Sequence, residues 1–92
     1  MREKKVMIFG KTDCVKCTRT KHKIGHYMNK WGLVGDVPVL FMDMDTPDGL
    51  AEGAFQDVLH VPTTIVMRGD GTVARWDGEV PDSASLRACL MP

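Results

Sequence analysis

A short apolar run that ends at glycine, with a pair of cysteines beginning four residues later, constrains this chain more than any other feature. Val6-Met7-Ile8-Phe9 shows no polar alternation before Gly10. That pattern suits a strand covered on both faces, and such strands belong to parallel or mixed sheets flanked by helices. Residues 14–31 follow, opening on Cys14-Val15-Lys16-Cys17 and carrying Ile24, Tyr27, Met28 and Trp31 at helical spacing. They predict a helix with Thr12 or Asp13 as its N-cap. Gly25 weakens it by about 1 kcal/mol relative to alanine. Residues 38–43 (Pro-Val-Leu-Phe-Met-Asp) read as a second strand with its proline at the first position. A connection through a long helix makes the two strands parallel.

Thr46-Pro47-Asp48 has the chemistry of a helix start, and Leu50, Ala51, Ala54, Phe55 and Val58 supply its predicted apolar face. Residues 63–67 are strand-like, β-branched from Thr63 to Val66, Arg68-Gly69-Asp70-Gly71 is turn chemistry, and residues 72–76 complete a hairpin. Arg68-Gly69-Asp70 matches an adhesion tripeptide in letters only. Asp82 or Ser83 caps a last helix whose apolar positions are Leu86, Cys89 and Leu90. The order is β-α-β-α-β-β-α, an α/β fold with a four-stranded mixed sheet and three helices packed on both faces. With 92 residues there is material for one domain, spanning residues 1–92.

Composition excludes several function classes. Apolar residues at 43% and charged residues at 26% match a folded globular chain, not a disordered one. Twelve Lys+Arg balance twelve Asp+Glu, so no global field recruits nucleic acid or anionic lipid. No run reaches membrane-spanning length, and the apolar run behind Met1-Arg2-Glu3-Lys4-Lys5 is too short for a signal-peptide core. The chain reads as cytoplasmic. Three cysteines are too few for a secreted disulfide scaffold, and in a cytosolic chain a C-x-x-C pair means metal or redox chemistry.

The position of that pair favours redox chemistry. The carboxyl end of a buried strand is where sites gather in α/β sheets. The unpaired N–H groups and dipole of a helix start hold a thiolate against protonation. Cys14 is then the attacking sulfur and Cys17 the resolving one. Lys16 adds attraction for the thiolate, as does Lys11, while Asp13 opposes it unless its carboxylate caps the helix. From Lys11 to Lys30 six basic residues face one acidic residue, whereas the stretch from Asp36 to Asp57 holds six acidic residues and no Lys or Arg. The plain explanation is solvated surface. The other is a basic rim around Cys14 that favours acidic partners or an anionic thiol.

Strand, C-x-x-C at a helix start, and Val61-Pro62 directly before a hairpin together resemble the thioredoxin-like superfamily, over nearly the whole chain. The resemblance implies a thioredoxin-like fold in which Pro62 is cis beside the cysteines and Val61 pairs its backbone with substrate. Thr63 falls in the same substrate-binding stretch. Lys11 matches the lysine that glutaredoxins carry three residues before the first cysteine. Val15-Lys16 is neither the Gly-Pro of thioredoxins nor the Pro-Tyr of glutaredoxins. Ile8 stands where thioredoxins bury an aspartate, and Gly78-Glu79 lacks the double glycine of glutaredoxins.

The implied activity is thiol-disulfide exchange by a monomer with no bound cofactor, passing the Cys14-Cys17 disulfide to a disulfide-containing protein or a small thiol such as glutathione. A reductase partner restores the dithiol. The alternatives are a glutathione-dependent glutaredoxin-like protein and a non-catalytic interaction module whose cysteines bind zinc or an iron-sulfur cluster. His22 and His26 complete a nominal four-ligand set with the cysteines, but one helical rod spreads those ligands over more than about 15 Å, so solvated histidines and no metal are expected. Cys89 reads as core filling and His60 as a loop residue.

Overall fold

Val6, Met7, Ile8, Phe9 and Gly10 are all buried, as an unbroken apolar run requires of a central strand. The structure is a computed structural model that describes residues 3–91; Met1 and Arg2 of the charged N-terminal stretch, and Pro92, lie outside the described residues. The elements are β1 (Lys4–Gly10), α1 (Val15–Lys30), β2 (Val39–Asp43), α2 (Pro47–Phe55), β3 (Thr63–Arg68), β4 (Gly71–Asp77) and α3 (Ser83–Leu90). They form one four-stranded mixed sheet in the order β2-β1-β3-β4. β1 pairs parallel with β2, from Val6↔Val39 to Gly10↔Asp43, and antiparallel with β3, from Lys4↔Arg68 to Phe9↔Thr63. The expected α/β fold class and element order are those observed.

Alternation along β1 divides the core between the two faces of the sheet. Val6 and Ile8 join Ile24 and Met28 of α1, Val66 of β3, and Leu86 and Leu90 of α3. Met7 and Phe9 turn the other way, toward Ile65 and Met67. Each such side chain, fully removed from water, contributes about 1.5–3 kcal/mol. Tyr27 and Trp31 extend the α1 stripe as a stacked pair with ring centroids 5.0 Å apart.

α2 departs from the expected packing. Leu50, Ala51, Ala54 and Phe55 were the predicted inward face, yet all four are exposed, Leu50 at 54% and Phe55 at 80%. Gly49 and Gly53 are the buried residues of this helix. The cause is the way its first turn is tied down. Thr46 caps the helix, its hydroxyl accepting from Gly49 N–H (3.1 Å) while donating to the Asp43 carbonyl at the end of β2 (2.7 Å). Those two hydrogen bonds tie helix to strand, and α2 lies so close that a Cβ on Gly49 would stand 1.8 Å from the Asp43 carbonyl oxygen. Of the predicted set only Val58, just past the helix, packs against the second core. The last helix is capped by Asp82, which accepts from Ser85 N–H at 2.9 Å.

Candidate redox site

Cys14 itself is the N-cap of α1. Its backbone is extended (φ −101°, ψ 114°) and its Sγ accepts the Cys17 N–H at 3.1 Å. The expected caps, Thr12 and Asp13, are therefore corrected: a turn in which Cys14 N–H donates to the Lys11 carbonyl (3.4 Å) carries the chain one residue further before the helix begins. The consequence is chemical, because the sulfur now occupies the place where a cap oxygen would satisfy an orphan N–H. A thiolate there gains more from that donor than a neutral thiol does.

Cys14 and Cys17 are joined as a disulfide with a Cα–Cα separation of 5.2 Å. Cys14 is half-buried and Cys17 fully buried, so the sulfur at the surface is that of Cys14. Gly10 makes room for the inner cysteine: a Cβ there would lie 2.9 Å from both Cβ and Sγ of Cys17.

The Val61–Pro62 peptide bond is cis and Pro62 is buried. Continuing the β1–β3 register one step beyond Phe9↔Thr63 sets Pro62 opposite Gly10, the residue on which Cys17 rests. Thr63 is fully buried; its hydroxyl donates to the His60 carbonyl at 2.7 Å, holding the loop before Pro62. Val61 lines a groove of about 240 Å³ with Lys11, Leu50, Val58 and Leu59. Lys11 also meets Asp45 at 3.9 Å, an exposed pair of the kind worth roughly 0–1 kcal/mol.

Lys16 has a structural partner that its spacing does not disclose. Its ammonium donates to the Gly78 carbonyl at 2.7 Å, and Gly78 N–H donates to the Pro62 carbonyl at 2.8 Å. Gly78 has a φ of 70°, the left-handed region that favours glycine. The first turn of α1, the loop after β4 and the cis-proline strand are thus tied in series.

A second groove, about 490 Å³, opens beside Cys14 and is lined by Asp13, Thr12, Val15, Arg19 and His22 among others. Sequence reasoning set His22 aside as solvated and counted Arg19 only within a general basic stretch. The spacing Cys14, Thr18, His22 was the available signal, since residues four apart share a helix face. Among the described residues no group of three or more His, Cys, Asp or Glu side chains is placed to hold a metal ion. Cys89 is a half-buried free thiol that donates to the Ser85 carbonyl at 3.2 Å, and burial pushes its pKa up.

Solved structures share this fold. Thioredoxin-2, described as a component of the malaria parasite protein secretion machinery, superposes with a TM-score of 0.77 at 23% identity, covering 95% of this chain and 80% of that one. Oxidized thioredoxin O2 from Arabidopsis thaliana gives 0.75 at 23% identity, over 95% and 71% of the two chains. This is a thioredoxin-like fold with a C-x-x-C pair. Mitochondrial thioredoxin 3 of Saccharomyces cerevisiae, also in its oxidized form, matches the thioredoxin-like chain with a TM-score of 0.73 at 17% identity, over 98% and 78% of the two chains. No family model matches the chain, and no curated protein matches it in sequence. No helix among the described residues is long and apolar enough to cross a membrane.

Proposed function

We propose that this thioredoxin-like protein is a thiol-disulfide oxidoreductase acting through Cys14 and Cys17. The observation that carries the reading is the asymmetry of the pair: Cys14 Sγ lies at the surface as the acceptor of a helix N-terminal N–H, and Cys17 is buried one turn deeper. In the dithiol form the Cys14 thiolate attacks one sulfur of a partner disulfide, and the other partner sulfur leaves as a thiolate that takes a proton from solvent. Cys17 then loses its proton and attacks Cys14 Sγ. The Cys14–Cys17 bond forms, the bond to the partner breaks, and the partner leaves with the electron pair. Two electrons have passed to the partner; its second sulfur is protonated as the Cys17 proton is released, and its first has taken a proton from solvent.

The substrate class we infer is a disulfide-containing protein. Support comes from the exposed apolar side chains Leu59 (84%) and Leu50 in the groove at Val61, where a polypeptide would find both apolar contact and the Val61 backbone, and from exposed Val15 (75%) in the groove beside Cys14. Val61, Pro62 and Lys11 are assigned to substrate binding, and Thr63 to support of that loop. Both sulfurs and the Val61–Pro62 segment come from one chain, so a monomer suffices. The proposed setting is the cytoplasm, where a reductase partner regenerates the dithiol. A second reading, exchange with an anionic small thiol such as glutathione, is favoured by Arg19 and His22 in the groove beside Cys14.

The test is which donor restores the two thiols in the oxidised protein. Thiols are counted after incubation with NADPH and a thioredoxin-type reductase, or with glutathione alone. The proposal expects the reductase to regenerate both thiols and the reduced protein to cleave the interchain disulfides of insulin. Recovery with glutathione only would move the assignment to the second reading, and no exchange with either donor or with insulin would overturn both.

A further inference from the structure

Thr64 is a buried polar residue that the exchange steps above leave unused. The fully buried polar side chains among the described residues are Thr20, Thr63 and Thr64. The Thr20 hydroxyl donates to the Lys16 carbonyl at 2.9 Å and that of Thr63 to the His60 carbonyl at 2.7 Å. Thr64 Oγ1 has no hydrogen-bond partner among the described residues. A buried hydroxyl without a partner destabilises the state that contains it, and valine would fill the same space without that cost. The state that contains it here is the disulfide.

The sheet register says what the hydroxyl is near. Thr64 pairs across β1–β3 with Ile8 and across β3–β4 with Trp76. Ile8 and Gly10 share one face because alternate residues of a strand do. Cys17 rests on Gly10, with its Sγ 2.9 Å from the Cβ position there. Thr64 is therefore the diagonal cross-strand neighbour of the residue under Cys17, a separation of about 7–8 Å between backbone positions and less between side chains. That face's hydrophobic core includes Val6, Ile8, Ile24, Val66 and Leu86, and Thr20, buried on α1 one turn after Cys17, has its hydroxyl proton committed to the Lys16 carbonyl.

We propose that the Thr64 hydroxyl serves the resolving sulfur, donating a hydrogen bond to the Cys17 thiolate once the disulfide is opened. The inference rests on the thiol-exchange reading above. When the mixed disulfide on Cys14 is resolved, the Cys17 proton passes to solvent and the thiolate attacks Cys14 Sγ. The Cys14–Cys17 bond forms and the partner sulfur leaves. Thr64 keeps its own proton throughout; it stabilises the anion before attack and is left without a partner afterwards. In the dithiol, where Cys17 keeps its proton, the hydroxyl donates to the neutral sulfur, a weaker bond that the disulfide lacks, so it also biases the equilibrium modestly toward the dithiol.

The experiment uses reduced full-length protein with 5,5′-dithiobis(2-nitrobenzoate), whose first released thionitrobenzoate reports attack by Cys14 and second reports resolution by Cys17, in a Cys89→Ser background. The redox equilibrium is measured in parallel against glutathione and its disulfide. In Thr64→Val the first release is unchanged and the second slows about tenfold, the scale of losing a hydrogen bond to a charged group. The equilibrium moves about threefold toward the disulfide, or roughly 14 mV more reducing, because a neutral hydrogen bond is lost there. Thr64→Ser keeps the hydroxyl and stays near wild type, while Thr64→Ala follows Thr64→Val and serves if the valine variant does not fold. Second-release rates and equilibria equal to wild type in folded Thr64→Val or Thr64→Ala overturn the proposal. Absence of any release coupled to Cys14 in the parent protein overturns the exchange reading itself, and this inference with it.

Discussion

Substituting Gly49 by alanine tests the most unexpected feature of the fold, the helix that turns its glycines inward. A methyl group at this position would stand 1.8 Å from the Asp43 carbonyl oxygen and 2.5 Å from its carbon. Since C···O contacts settle near 3.3–3.6 Å, α2 or the end of β2 has to move by about 1.5 Å. The obstacle is backbone, and the Thr46 hydroxyl bonds to Asp43 and Gly49 would be pulled apart by the same movement. Overpacking of this kind costs about 1–3 kcal/mol, and loss of the cap about 1 more, against a helix-propensity gain of about 1. The net expectation is a loss of about 1–3 kcal/mol, out of the 5–15 typical of a domain. For a chain of this size that lowers Tm by roughly 4–20 °C. Two further glycines calibrate the result. The overly close contacts of a Cβ at Gly53 are with the flexible end of Met44, Cε at 2.6 Å, while Val58 Cβ at 3.7 Å is an ordinary contact, so Gly53→Ala costs less than Gly49→Ala. Gly25 has nothing within 4 Å, so Gly25→Ala in α1 raises stability by about 1 kcal/mol. Urea titrations of the three variants, all held in the disulfide form, read the order directly. Gly49→Ala as stable as the parent protein would refute the close approach of α2 to β2.

Two other perturbations follow from particular bonds. Lys16→Met removes the ammonium from the Gly78 carbonyl; because the bond is exposed, stability changes by less than about 1 kcal/mol, but the Gly78 amide exchanges hydrogen faster and KM for a protein disulfide rises while Lys16→Arg retains both. Unchanged exchange at Gly78 would sever the proposed link between the α1 start and the Pro62 loop. Asp82 is held below the ordinary carboxylate value, first by the Ser85 backbone N–H and then by the Ser85 side chain. A pKa lowered in the folded state gives a contribution present above the unfolded value and lost as pH falls through the folded one. Asp82→Asn keeps a cap oxygen and should flatten this acid-side decline in Tm; an unaltered decline would mean that the cap does not titrate with folding.

What could be read from the residues alone depended on whether the signal was local. β1 was legible because five consecutive buried positions need an unbroken apolar run, and Thr46-Pro47 and Asp82 were legible because caps act within three residues. The inward face of α2 was not. Leu50, Ala54 and Phe55 mark a face, but periodicity does not say whether that face meets the sheet, and Gly49 and Gly53, four residues apart, were the better sign of close backbone approach. Cys14 displaced Asp13 from the cap because a turn closed by the Lys11 carbonyl set the phase of the helix, a matter of one residue that composition does not resolve. The Lys16–Gly78 bond joins positions 62 residues apart, and the isolation of Thr64 exists only once β3 lies between β1 and β4.

The central claim, that Cys14 attacks and Cys17 resolves, is tested most directly by trapping. Cys17→Ser and Cys14→Ser, each in a Cys89→Ser background, are exposed to a mixture of glutathione and its disulfide and analysed by intact and peptide mass spectrometry. Cys14 is the sulfur at the surface with a helix N–H aimed at it, and Cys17 is fully buried on Gly10. The account predicts a persistent mixed disulfide on Cys14 when Cys17 is removed, and no comparable adduct when Cys14 is removed. An adduct that accumulates on Cys17 instead, or equal labelling of the two sulfurs, would contradict it.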